Sequence, residues 1–273
     1  MKHIYLIIIL NACFTSNTFG QKGGLFIAYY QSSSITNLQQ PDKKSIVLWT
    51  LQIDSTGYSF FDPVKRESDS LYALDLGAGM DAMQVLANSA RYRRGAGFHA
   101  YASIDSNKIK VYENLGVYYN YEETLPLQKW HLLPDTTTIL GQVVHKASTL
   151  FRGRTYYAWY CPSIPLSAGP WKFSGLPGLI LRIGDEQGHY QYECVGMETV
   201  NAIRAKSLVL DSRSTSFADF SKLRQLRAEN PAAYLRVMAP GISITPNNES
   251  AKRKLEQSGN VKARFNPIEL MDK

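Results

Sequence analysis

Residues 98–122 read FHAYASIDSNKIKVYENLGVYYNYE, and their periodicity decides the fold class. Phe98, Ala100, Ala102 and Ile104 alternate with His99, Tyr101 and Ser103, so each set lines one face of an extended strand. Residues 105–108 turn the chain, 109–113 run back, Asn114-Leu115-Gly116 turns it again, and 117–122 follow. Short polar turns of this kind join antiparallel neighbours. Parallel strands need long crossovers, and this stretch has no room for one.

The same pattern extends in both directions. Residues 25–30 and 45–53 read as strands, and in the second Val47, Trp49, Leu51 and Ile53 share one face. Asp54-Ser55-Thr56-Gly57 is a turn, and residues 58–61 return as its hairpin partner. Residues 129–133 and 137–140 are two short strand candidates. Residues 141–150 and 155–160 flank Arg152-Gly153, a tight-turn pair, and residues 179–183 and 189–195 form a last hairpin. Residues 79–90 differ: Met80, Met83, Leu86, Ala87 and Ala90 recur at helical spacing and predict a helix packed on the sheet. Beyond residue 200 aromatic residues thin out. Ser216 with Asp219 has the form of a capping box, and Phe217, Phe220, Leu223 and Leu226 form the stripe of the helix it starts. Pro231 opens a second helix running to about Met238. Residues 246–264 are polar and basic, and mobility is expected there. The expectation is a mainly β protein: an antiparallel curved sheet, half-barrel or sandwich, with one packed helix. Residues 21–200 form the β-rich domain and 201–273 a basic, partly helical extension.

The net charge of +7 is unevenly spread: residues 21–200 hold 16 Lys/Arg against 16 Asp/Glu, and 201–273 hold 13 against 7. A neutral body with a basic tail lacks the charged groove of a nucleic-acid binder. At the N-terminus a polar start and the uncharged apolar residues 4–10 precede Thr18 and Gly20, small residues at the −3 and −1 places of a cut before Gln21. This is the pattern of an export signal, too short to span a bilayer, and no later segment is long and apolar enough either. The chain is expected to be periplasmic or secreted after cleavage near Gly20. Leu10-Asn11-Ala12-Cys13 also has the outline of a lipoprotein box, which would leave the chain anchored through Cys13. Export permits a disulfide between Cys161 and Cys194; two separate thiols are the other reading.

Residues 141–183 carry the densest motif content. Phe151-Arg152-Gly153-Arg154 is followed by Tyr157-Ala158-Trp159-Tyr160, Ile164-Pro165, Gly169-Pro170-Trp171-Lys172-Phe173 and Gly175-Leu176-Pro177-Gly178-Leu179-Ile180. The chain ends in Asn266-Pro267-Ile268-Glu269-Leu270 before its last three residues. In these motifs, in this order, it resembles the GLPGLI family of the Bacteroidota. The resemblance implies an exported β-rich protein with no established reaction, cofactor or substrate, some of whose relatives accompany outer-membrane receptors. It also implies that relatives carry Cys where this chain has His145, close to Cys161 across the Arg152-Gly153 turn. The motif residues themselves read as backbone devices. Gly175 and Gly178 reach conformations closed to other residues, Pro177 fixes φ, and residues 179–181 enter the core as a strand buried on both faces. The other reading makes this segment a docking edge or pocket lip.

Chemistry is harder to find. No nucleophile elbow, zinc motif, P-loop or dinucleotide fingerprint occurs, so no catalytic, cofactor or metal residue is assigned. Glu122-Glu123 and Asp185-Glu186 read as solvated turn charges. Arg91, Arg93 and Arg94 cluster at a helix end, where they serve the helix dipole or contact an anion at a membrane surface. Arg152 and Arg154 flank a turn and could project together towards a carboxylate or phosphate. The leading expectation is a non-enzymatic accessory protein with an outer-membrane or periplasmic partner. The alternatives are a carrier of a small apolar ligand, which needs a deep aromatic cavity, and a hydrolase, which needs groups such as His145 and Glu193 to converge.

Overall fold

The computed structural model describes residues 24–202, 211–238 and 265–270. The expected export signal, Cys13 and the polar stretch 246–264 lie outside them. Strands β1 (Leu25–Ser34), β2 (Ser45–Asp54), β3 (Gly57–Phe61), β4 (Phe98–Ser103), β5 (Lys108–Asn114) and β6 (Tyr118–Thr124) form one meander. Strands β7 (His131–Ile139), β8 (Gln142–Phe151), β9 (Arg154–Cys161), β10 (Leu179–Asp185) and β11 (Tyr190–Val200) form a second. Antiparallel pairing of β1 with β11 joins them, and the short β12 (Ser212–Ser214) adds in parallel to β6. The result is one curved twelve-stranded sheet in the order β12-β6-β5-β4-β3-β2-β1-β11-β10-β9-β8-β7. Its ends do not pair with each other among the described residues, so it is an open half-barrel rather than a sandwich.

The alternation seen in the sequence sets the two faces. Tyr30, Trp49, Leu51, Phe60, Ala100, Val111, Tyr121, Tyr156, Ala158 and Tyr192 lie buried in one core cluster. Trp49 stacks on Phe60 at 5.0 Å between centroids, and Phe98 and Tyr192 meet Phe60 edge-on. The segment after β9 folds into this concave side and inserts Trp171, Phe173 and Leu176. Tyr156 and Trp171 contact Phe173 edge-on at 4.8 and 5.1 Å. Burying each such side chain contributes about 2–3 kcal/mol. Helices α3 (Phe217–Glu229) and α4 (Pro231–Met238) close the same side. Phe217 and Phe220 pack against Tyr121, and the Tyr234 hydroxyl donates to the Leu115 carbonyl. The described residues beyond 210 are thus packed onto the sheet.

The outer face is partly covered by α1 (Pro63–Gly77), and the short α2 (Ala82–Ala87) lies against α1. Only α2 falls within the helix expected over 79–90. The longer α1 escapes a search for apolar periodicity because its buried side is polar: Ser68, Asp69 and Asp75. Its real signal is at its start. Asp62 caps it, the Asp62 Oδ1 accepting from the amides of Val64 at 2.9 Å and Lys65 at 3.3 Å, with Pro63 in the first turn. The two short candidates at 129–133 and 137–140 are one strand, β7, with a register shift between Leu132 and Thr136.

Cys161 and Cys194 are separate buried thiols. Position 145 lies opposite Tyr160, one residue from Cys161. Burial pushes the Cys194 thiol up to about 12.

Gly178 is the tightest point of the motif. A Cβ there would sit 2.2 Å from the Cys161 carbonyl oxygen, and its φ is +156°. That oxygen belongs to a strand and cannot move aside. Gly178→Ala is expected to destabilise the protein by about 3 kcal/mol or more in urea unfolding. A loss under about 0.5 kcal/mol, the range of an ordinary surface change, would contradict the close approach.

Candidate functional site

Two polar clusters stand out. The first gathers the motif residues on the concave side. The Lys172 side chain is fully buried, and its ammonium donates to Glu123 Oε2 at 2.7 Å and to Glu269. Arg152 donates to the other oxygen of Glu123, and its guanidinium lies 3.9 Å over the Phe217 ring. Arg224 of α3 stands 3.9 Å from Glu113 and 3.8 Å from Glu269. Burial pushes the Glu113 carboxyl above the usual glutamate range, against the pull of Arg224. Burial also works against the Arg224 charge, but Glu113 and Glu269 outweigh it and raise its pKa.

Arg154 spends its donors one layer away. Its Nη1 donates to Asp185 Oδ2 at 2.8 Å, and its Nη2 to Asn266 Oδ1 at 2.5 Å and the Pro267 carbonyl at 2.7 Å. Arg152 and Arg154 therefore do not project together. The Arg152-Gly153 turn has φ of +48° and +74°, a tight hairpin that sends the two guanidinium groups to different carboxylates of this chain. Glu123 and Asp185, expected from the sequence to be solvated turn charges, have buried side chains, and only their neighbours Glu122 and Glu186 face solvent. Strand alternation sends Glu123 inwards when Glu122 points out.

The remaining motif residues surround these two. Trp130 Nε1 donates to the Ser174 carbonyl at 2.7 Å, and Gln128 Oε1 accepts from the Ser174 amide at 3.2 Å. The chain before β7 thus straps the loop that holds Lys172. Gly169, Pro170, Trp171, Leu176, Leu179 and Ile180 are buried, while Pro165, Gly175 and Pro177 are exposed. Trp159 is half-buried on β9 with the Lys146 ammonium 5.5 Å from its ring. Trp171 sits at φ +56°, an uncommon conformation for a bulky residue.

The second cluster lies under α1. Asp69 Oδ2 accepts from the Tyr118 hydroxyl at 2.5 Å and lies 3.6 Å from His99 Nε2, while Lys65 donates to Oδ1. Burial alone would raise the Asp69 pKa, but the bonds from His99, Lys65 and Tyr118 outweigh it and hold it below the usual aspartate range. Burial and Asp69 together push the Tyr118 hydroxyl far up. A cleft of about 300 Å³ opens beside them, lined by Lys65, Ser68, Asp69, Tyr72, Ser89 and Tyr92. His99 is buried behind its wall. At the rim the Tyr92 hydroxyl donates to Asp75 at 2.6 Å, and Arg91 pairs with Asp75 at 3.4 Å. Arg93 and Arg94 are exposed next to it.

His145 and Glu193 do not converge. They lie on β8 and β11 with two strands between them, a separation of about 14 Å at about 4.8 Å per strand. Glu193 is paired with Arg182 at the surface. Among the described residues no group of three or more His, Cys, Asp or Glu is placed to hold a metal ion, and no helix is long and apolar enough to cross a membrane.

A family model described as a protein of unknown function (Porph_ging) matches residues 119–182, from β6 to the start of β10. The matched span contains Arg152, Arg154, Lys172 and Gly178 but not residues 266–270. No curated protein matches the chain. Among solved structures the chain is similar to PNGF-II. The C2 form aligns with a TM-score of 0.51 over 73% of this chain and 32% of that one, and the P21 form with 0.52 over 72% and 32%, both at 15% identity. The chain spans about a third of the length of those structures, and the likeness is one of fold.

Asp69 makes stability depend on pH in a defined sense. Its folded pKa is below its unfolded value of about 3.8. Its contribution is complete above that value and is lost as pH falls through the lower, folded pKa. In melting curves, Asp69→Asn should show a shallower loss of stability below about pH 4 than the parent. An identical acid limb in both proteins would contradict the pairing.

Proposed function

We propose that this is an exported cell-envelope protein of the Bacteroidota that binds an outer-membrane or periplasmic protein, and that α1, α2 and residues 91–94 form its docking surface. One observation carries the reading: α1 is inverted. It buries Ser68, Asp69 and Asp75 and exposes Tyr72, Leu74 and Leu76, with Leu74 at 67% exposure. Met83 of α2 is exposed at 73%. Apolar side chains gathered on a surface mark interaction sites. Arg91 and Tyr92 are tied to Asp75, so the exposed Arg93 and Arg94 flank the same surface. An apolar patch beside a basic rim suits a partner whose own rim is acidic. The carrier alternative gains no such support, because Trp171, Phe173, Phe217 and Phe220 occupy the concave face.

Site-specific photocrosslinking in intact cells tests the surface. A crosslinker at position 74 should capture one envelope protein, and one at position 104, exposed in the turn just past the far end of β4, should not. Arg93→Glu with Arg94→Glu should lower the capture about tenfold with the melting temperature unchanged. Equal capture from both positions, or capture indifferent to charge reversal, would defeat the assignment.

A further inference from the structure

Residues 265–270 lie in a groove whose contacts are those of a receptor for an extended peptide. Three successive carbonyls are held by side chains. Tyr190 donates to the Asn266 carbonyl, Arg154 to that of Pro267 at 2.7 Å, and Tyr156 to that of Ile268 at 2.9 Å. Two amides are also held: Asn266 donates to the Thr36 carbonyl at 3.0 Å and Leu270 to the Arg152 carbonyl at 2.9 Å. Main-chain capture of this kind gives affinity without regard to sequence.

Two side chains supply the sequence preference. The Asn266 amide is read from both ends, accepting from Arg154 Nη2 at 2.5 Å and donating to the Ile35 carbonyl at 2.6 Å. Aspartate lacks the donor and leucine lacks both groups. Glu269 meets Lys172 in full burial, with Arg152 and Arg224 within 4 Å. Without Glu269 the groove holds the cations Arg152, Arg154, Lys172 and Arg224 against the carboxylates Glu113, Glu123 and Asp185. One cationic charge is in excess, and an acidic side chain at this one position neutralises it. Lys172 and Arg154 each keep a carboxylate of the sheet when the segment leaves, so the groove persists as a formed site. A Cβ on Gly153 would meet the Leu270 side chain at 2.9 Å, so the turn is cut back where the segment passes.

We propose that this groove is a peptide-binding site selective for Asn-x-x-Glu, and that residues 265–270 are its ligand, seated from the same chain. The segment is an exchangeable plug rather than a strand of the fold. The proposal stands apart from the docking surface on α1.

The test uses the full chain with a protease site inserted between residues 250 and 260, folded first and cleaved afterwards. A fluorescent peptide of residues 264–273 should bind the cleaved protein saturably and leave the uncleaved protein alone. Peptides with Asn266→Ala or Glu269→Gln should bind at least about tenfold more weakly, the loss of a buried charged contact. Equal binding by the altered peptides, or equal binding to the uncleaved chain, would overturn the proposal. If cleavage unfolds the protein, hydrogen exchange on intact Glu269→Gln decides. Expected is loss of protection at the Asn266 and Leu270 amides with β9 and β10 still protected. Loss throughout the sheet, or no loss at all, would overturn it.

Discussion

The structure depends on a buried ammonium group. An unpaired charge in this position would cost several kcal/mol, so Lys172 fixes the placement of two carboxylates that are far apart in sequence. Glu123 comes from β6, near one end of the curved sheet, and Glu269 from the C-terminal segment. Arg152, from the β8–β9 turn near the sheet's other end, shares the same glutamates. The half-barrel is therefore held across its mouth by charge pairing and by the aromatic residues beneath, where a closed barrel would use strand-to-strand hydrogen bonds.

This requirement explains the odd backbone of residues 169–178. Lys172 must enter the concave side from a loop that also inserts Trp171 and Phe173 and then returns immediately as β10. The return is possible because Gly178 lets the chain pass against the Cys161 carbonyl. The chain before β7 holds the same loop from above through Gln128 and Trp130. The opposite face follows a different rule. There α1 is joined to the sheet by Asp69, Tyr118 and His99, and Tyr72, Leu74 and Leu76 are left outside.

Much of this was legible in the sequence. Period-two alternation and polar turns located most strands, and the buried run at Leu179, Ile180 and Leu181 marked a central strand correctly. The hairpin at Arg152-Gly153 and both C-terminal helices followed from turn and cap chemistry. What stayed hidden has a common cause. Asp69, Glu123, Asp185 and Glu269 are acids whose burial depends on a partner supplied by a distant segment, and no local pattern announces that partner. Read locally, Glu123 and Asp185 were turn charges, and α1 had no apolar stripe to follow. Asp62-Pro63 was the one local sign of that helix.

The most direct measurement of the central claim is a double-mutant cycle on Lys172 and Glu123 by urea unfolding. Lys172→Met alone should cost about 3–5 kcal/mol, because it leaves carboxylates buried beside an apolar side chain. Adding Glu123→Leu should then recover more than about 1 kcal/mol, the signature of interacting partners. If the two losses simply add, the buried pair does not hold the half-barrel together, and the aromatic core alone must do so.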